Sequence, residues 1–147
     1  MKLKRTQEGA STVEFAMIVP FLLVMLFGIM EFGLILYDKA VITNASREAA
    51  RSGIVYKNPR LTNTEIKTVA VTYARNYLMS SSSVKLSSSD VTVSSPTPII
   101  SGTSSLTVVV TYPYTFFVFG NLFNAYMGGS FTNNKISLSA TTVMKYE

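Results

Sequence analysis

From Phe15 to Leu36 the chain is apolar at every position except Glu31. A helix over these residues spans about 33 Å, slightly more than the ~30 Å of a bilayer's hydrocarbon core. The run is long enough to cross a membrane. It is too long for the apolar region of a secretory signal peptide, roughly 7–15 residues followed by a small-x-small cleavage site. Leu36 instead runs directly into Tyr37, Asp38 and Lys39. Ahead of the run, Lys2, Lys4 and Arg5 form a basic tip, which the positive-inside rule keeps on the cytoplasmic face while the rest of the chain faces outward.

The remaining composition narrows the function. The 147 residues are 48% hydrophobic and 14% charged, with a mean hydropathy of +0.31, and the apolar run supplies much of that excess. Beyond residue 53, roughly 95 residues are left, enough for one small domain and too few for two. The formal charge is +5, and no basic stretch interleaved with aromatics suggests a nucleic-acid partner. Cysteine and histidine are both absent, which excludes Cys/His zinc sites, thiol nucleophiles and histidine general bases. No glycine-rich phosphate loop is present either, so no cofactor and no metal is expected. An enzyme would have to work with a carboxylate pair, of which Asp90 with Glu65 is the least poor; the chain is not read as an enzyme. Without disulfides the domain must draw its stability from packing, against the helix or against other subunits.

The helical pattern continues past the apolar run. Leu34, Val41, Ala45, Ala49 and Gly53 fall on one stripe, and the last three, four residues apart, would let a sheet or another helix approach the backbone closely. Arg47, Glu48 and Arg51 lie off the stripe. Gly53, followed by β-branched Ile54 and Val55, is a stop signal. One helix from about Ala10 to about Ser52 is expected, half in lipid and half supporting a domain. Pro20, which lacks an N–H and crowds the carbonyl of Ala16, predicts a kink or local unwinding. Glu14, an ionisable group beside hydrocarbon, is a functional candidate in need of a partner. Glu31, higher on the helix, is expected among the outer headgroups as an interfacial group.

Downstream, Thr62 and Glu65 have capping-box spacing, and Ile66, Val69, Ala70, Tyr73, Ala74 and Tyr77 follow at helical spacing, predicting a second, amphipathic helix from about Asn63 to Met79. Ser80 to Ser83 and Ser87 to Ser89 read as a solvated connector. Alternation then takes over: Val91 and Val93, then Leu106, Val108, Val110, Tyr112 and Tyr114, and finally Ile136, Leu138, Ala140, Thr142 and Met144 mark three or more strands. Short connections allow an antiparallel sheet, and Pro113 must lie at an edge, a bulge or a strand end. Residues 116–127, rich in aromatics, are suited to burial within the domain or to docking on the membrane interface or a neighbouring subunit.

These elements are similar to those of type IV pilin-like subunits, and most closely to the TadE-like family of the tight adherence (Flp-type) pilus system. Three stretches carry the resemblance: Gly9-Ala10-Ser11-Thr12-Val13-Glu14-Phe15, which looks like a prepilin peptidase site; Gly28-Ile29-Met30-Glu31-Phe32-Gly33 with Thr43-Asn44-Ala45-Ser46-Arg47-Glu48-Ala49-Ala50-Arg51; and Thr107-Val108-Val109-Val110-Thr111-Tyr112-Pro113-Tyr114 with the terminal Val143-Met144-Lys145-Tyr146-Glu147. The resemblance implies an α+β, type IV pilin-like fold, in which a long N-terminal membrane-spanning helix packs on a small antiparallel sheet beside a second amphipathic helix. It divides the chain into a leader peptide (1–9), the long helix (10–53, in the membrane over about 15–36) and an extracytoplasmic α+β domain (54–147). It further implies cleavage between Gly9 and Ala10 by a prepilin peptidase, with Gly9, Ala10, Glu14 and Phe15 forming the processing site and Glu14 pairing with the freed amine of its own or a neighbouring subunit. Glu14, Glu31, Arg47, Glu48 and Arg51 are the expected contacts in assembly. The partners implied are other pilin and pseudopilin subunits, the inner-membrane pilus assembly platform and the lipid bilayer. The expected role is that of a minor pilin or pseudopilin supporting adhesion and surface attachment from the cytoplasmic membrane, N-terminus inside. The competing reading is a signal-anchored extracytoplasmic binding domain that is never processed, which would have no need of the Gly9 and Glu14 pair.

Overall fold

The computed structural model describes residues 4–79, 86–96, 98–117 and 135–146. Helix α1 (Lys4–Ile54) is followed by α2 (Asn63–Tyr77), a 3-10 turn (Ser88–Asp90) and strands β1 (Val91–Ser94), β2 (Ser105–Thr115) and β3 (Lys135–Lys145). The strands form one antiparallel sheet in the order β1-β2-β3. The architecture is the α+β, pilin-like one implied by the sequence.

Helix α1 runs unbroken for 51 residues, about 76 Å. The local unwinding expected at Pro20 does not occur: loss of one N–H leaves the helical assignment continuous on both sides. The helix starts earlier and ends slightly later than the expected Ala10–Ser52 span. Helix α2 begins with the capping box read from the sequence. The Thr62 hydroxyl accepts from the Glu65 backbone N–H at 3.3 Å, and the Thr62 N–H donates to Glu65 Oε2 at 2.7 Å. The Thr62 N–H and the Thr62 hydroxyl, both donating to Glu65 Oε2, hold the Glu65 carboxyl below the usual range. Ile66, Ala70, Val71 and Ala74 form the buried face of α2.

That helix ends at Tyr77, short of the expected Met79, because α1 captures the chain there. The Tyr37 hydroxyl donates to the Tyr77 carbonyl at 3.0 Å, and the Met79 N–H donates to Asp38 Oδ1 at 3.2 Å. Leu78 has already turned extended, with its N–H bonded to the Ala74 carbonyl. An orphan carbonyl and a free N–H at the helix end are thus satisfied from a neighbouring helix rather than by a local cap.

The sheet follows the alternation in the sequence. Leu106, Val108, Val110, Tyr112 and Tyr114 on β2 are buried, as are Leu138 and Ala140 on β3, and the register sets Val110 opposite Ala140 and Tyr112 opposite Leu138. Strand β1 pairs only with residues 107–110 of β2. Pro113 lies past that end, where among the described residues one side of β2 is an edge and a missing N–H costs no bond to β1. The core forms where α1, α2 and this face of the sheet meet, around Ile42, Ala45, Ala49, Ile66, Ala70, Leu106 and Val108. Gly53 is the tightest point: a Cβ there would lie 2.5 Å from Leu106 Cδ2 and 2.7 Å from Ile66 Cδ1. The small stripe Ala45, Ala49 and Gly53 therefore admits both the sheet and the second helix. Among the serine-rich residues, Ser80 to Ser83 lie outside the described residues. The Ser87 N–H donates to Asp90 Oδ2 at 2.8 Å, closing the turn that leads into β1.

Candidate functional site

One helix does two jobs, and the division falls at Glu31. From Gly9 to Met30 no residue of α1 is buried. Glu31 is buried, and from Asp38 onward buried positions recur every three or four residues: Asp38, Val41 and Ile42, Ala45 and Ser46, Ala49 and Ala50, and Gly53. The exposed half carries Phe15, Phe21, Met25 and Ile29, each more than 65% accessible. A soluble domain would not leave so long an apolar face uncovered.

Glu31 is not the interfacial group that its position in the sequence suggests. It is 2% accessible, and its Oε1 accepts from the Tyr114 hydroxyl at 2.6 Å and from the Phe117 backbone N–H at 2.9 Å. Burial pushes the Tyr114 phenol above its ordinary pKa; the hydrogen bond to Glu31 and the charges of Glu31 and Asp38 add to the effect. The phenol therefore remains a donor throughout the physiological range. Glu31 is in consequence an anchor between the long helix and the end of β2. The residues that give it away are seven apart: Glu31, Asp38 and Ala45 share the stripe that faces the domain.

Two further polar contacts fix the helix along β3. The Lys39 ammonium donates to the Ser139 carbonyl, and the Ser46 and Thr142 hydroxyls lie 2.7 Å apart. Residues 31 to 53 of α1 thus run antiparallel to β2, with Glu31 at Tyr114 and Gly53 at Leu106, and parallel to β3.

Asp38, which the sequence reading passes over, is 1% accessible. Its Oδ1 takes the Met79 N–H, while Oδ2 has no hydrogen-bond partner among the described residues. Burial raises its pKa, and the Met79 bond offsets part of that rise. A carboxylate at the C-terminal end of α2 also meets the negative pole of that helix, which works in the same direction.

The processing-site residues Gly9, Ala10, Glu14 and Phe15 all lie on the exposed half of α1, and nothing lies within 4 Å of where a Gly9 Cβ would stand. Glu14 is exposed and has no partner among the described residues. Arg47, Glu48 and Arg51 are exposed on the outer side of the packed half. Glu48 borders a shallow groove of about 390 Å³ lined on α2 by Thr68, Thr72, Tyr73 and Tyr77. The structure thus separates the expected assembly residues into three places: Glu14 on the free helix, Glu31 inside the fold, and Arg47, Glu48 and Arg51 on the surface of the domain. Glu65 and Asp90 are each engaged by a backbone N–H in a local turn.

A long helix, apolar and bare over its first half and packed on a small α+β domain over its second, defines a membrane-anchored, pilin-like class of protein. Residues 9–51 match the family model described as TadE-like protein, a pilus-associated structural family. The match lies within the long helix, on both sides of Glu31. No curated protein and no solved structure matches the chain.

Proposed function

We propose that this chain is a minor pilin or pseudopilin that acts in assembly of a tight adherence (Flp-type) pilus, supporting adhesion and surface attachment. In this reading residues 1–9 are a leader removed by a prepilin peptidase, the helix from Ala10 crosses the cytoplasmic membrane once with its N-terminus inside, and residues 54–147 form the extracytoplasmic domain. The observation that carries the reading is the division of α1 at Glu31. The same continuous helix that holds the domain together has no buried residue from Gly9 to Met30, and the apolar run it carries from Phe15 to Leu36 is about 33 Å long.

Glu14 is the residue assigned to assembly. A carboxylate without a partner at the edge of hydrocarbon is costly, and the amine freed by cutting before Ala10, from this subunit or its neighbour, is the cation that would pair with it. Other pilin and pseudopilin subunits and the inner-membrane assembly platform are the partners in that step. Exposed Arg47, Glu48 and Arg51 are available on the domain side for further contacts. Exchanging Glu14 for Gln keeps the shape and removes the charge. The expected result is normal membrane insertion with reduced piliation and reduced cross-linking to other pilus subunits. Unchanged piliation and cross-linking would refute the pairing role.

A further inference from the structure

The anchor at Glu31 fixes one end of the sheet at a definite height on the long helix, and that height lies inside the apolar run. Glu31 is five residues below Leu36, so Tyr114 and Phe117 meet α1 about 7 Å short of the end of the apolar segment. At this height Phe117 is 54% accessible and Ile136 43%, beside Phe32 at 62% and Leu36 at 53% on the helix. Ile136 pairs with Tyr114 across the sheet and lies in the row that faces α1. Leu138, one step further along that row, is buried. Among the described residues, the cover over the row therefore ends between Leu138 and Ile136. Lys135 is exposed at the very end of β3.

We propose that this end of the β2–β3 pair is a lipid-contacting edge, seated in the outer headgroup and acyl boundary of the same bilayer that α1 crosses. The proposal rests on the membrane-spanning reading above. Three observations favour lipid over another occupant. Glu31, which bonds this edge, lies within the apolar run of α1, and Phe32 and Leu36 of that run are exposed at the same height. The edge's depth of about 7 Å matches the roughly 5–10 Å to which interfacial elements sink. The Phe117 N–H at this end is already donated to Glu31, which removes one donor that would oppose contact with acyl chains. Phe116 stands edge-on to Tyr114, ring centroids 5.9 Å apart, which holds the turn out of β2 in place. The Lys135 ammonium is set to reach lipid phosphates, as basic groups do at the rim of such sites. The sheet then stands on the membrane on this end, with Val143 about 24 Å further along β3.

The absence of native cysteines permits single-cysteine labelling of the full chain. Phe117→Cys, Ile136→Cys, Val143→Cys and Leu22→Cys, each carrying bimane, would be reconstituted in phosphatidylcholine/phosphatidylglycerol vesicles containing lipids with a shallow or a deep nitroxide. The expected result is loss of fluorescence to the shallow nitroxide at 117 and 136, loss to the deep nitroxide at 22, and no loss at 143. Quenching at 22 with labels at 117 and 136 as unquenched as at 143 would overturn the proposal and leave the membrane reading standing. No quenching at 22 would overturn the membrane reading itself. Labels at 117 and 136 that resist both the shallow nitroxide and aqueous iodide would mean that another copy of the protein covers this edge, which also overturns the proposal.

Discussion

Removing the Tyr114 hydroxyl tests whether Glu31 is an anchor. The phenol is 4% accessible and Glu31 2%, and their 2.6 Å contact joins residues 83 apart in sequence. A hydrogen bond to a charged group contributes about 1.5–3 kcal/mol, and a buried polar group left without a partner costs a further ~1–3 kcal/mol. Tyr114→Phe removes the donor but leaves Glu31 with the Phe117 N–H, so a loss of about 2 kcal/mol is expected. Glu31→Leu removes both acceptor bonds and strands the buried phenol, so its loss should be the larger, about 3 kcal/mol. In the double variant no phenol is stranded, and the total should fall short of the sum by about 1.5–3 kcal/mol. Urea unfolding of the full chain in detergent micelles, followed by the tyrosine signal, gives the four stabilities. For a domain of this size, ~2 kcal/mol corresponds to roughly 10 °C in melting temperature. Single-variant losses that add to within about 0.5 kcal/mol would mean that the two groups do not interact, and the anchor would be refuted.

Asp38 should make stability depend on pH. Its folded pKa is raised by burial, so the stability linked to its proton is fully present below the unfolded value of about 4 and is lost as pH rises toward the folded value. Asp38→Asn retains an acceptor for the Met79 N–H and cannot ionise, so it should gain on the wild type as pH increases; a urea-midpoint difference that does not vary with pH would contradict this. Gly53→Ala should lose about 1–3 kcal/mol through overpacking against buried Leu106 and Ile66, more than the ~1 kcal/mol gained in helix propensity. Gly33→Ala, where nothing lies within 4 Å of the added carbon, should be neutral or stabilising, and equal losses at both glycines in thermal melts would contradict the packing. Thr62→Ala should cost about 1 kcal/mol by removing the cap of α2, measurable in the same melts.

What the sequence revealed was what depends on near neighbours. The capping box at Thr62 and Glu65, the small stripe along Ala45, Ala49 and Gly53, and the alternation of β2 and β3 are written in spacing, and the structure follows them. The role of Glu31 was hidden because its immediate neighbours are those of a membrane helix; only its phase with Asp38 and Ala45, together with the tyrosine closing β2, points inward. Asp38 was passed over for a related reason. A carboxylate at the exit of an apolar run looks solvated, and its burial depends on the end of α2 arriving beside it from 41 residues away. The end of α2 itself could not be placed from its own residues, since Tyr37 of α1 donates and Asp38 accepts the bonds that stop it. At Pro20 the helix does not unwind, because the turns on both sides keep their own bonds in a helix of 51 residues. The aromatic stretch 116–127 lies outside the described residues beyond Phe117, but its first two residues already stand at the end of the sheet that Glu31 anchors.

The central claim is that the bare half of α1 is a processed pilin helix and not a plain anchor. The most direct measurement is the N-terminal residue and intact mass of the full protein extracted from membranes of cells with and without an active prepilin peptidase. The account predicts a terminus at Ala10 only where the peptidase is active, and loss of that product in Gly9→Val, whose β-branched side chain crowds a position expected to require glycine. A terminus at Met1 in both cells would contradict it.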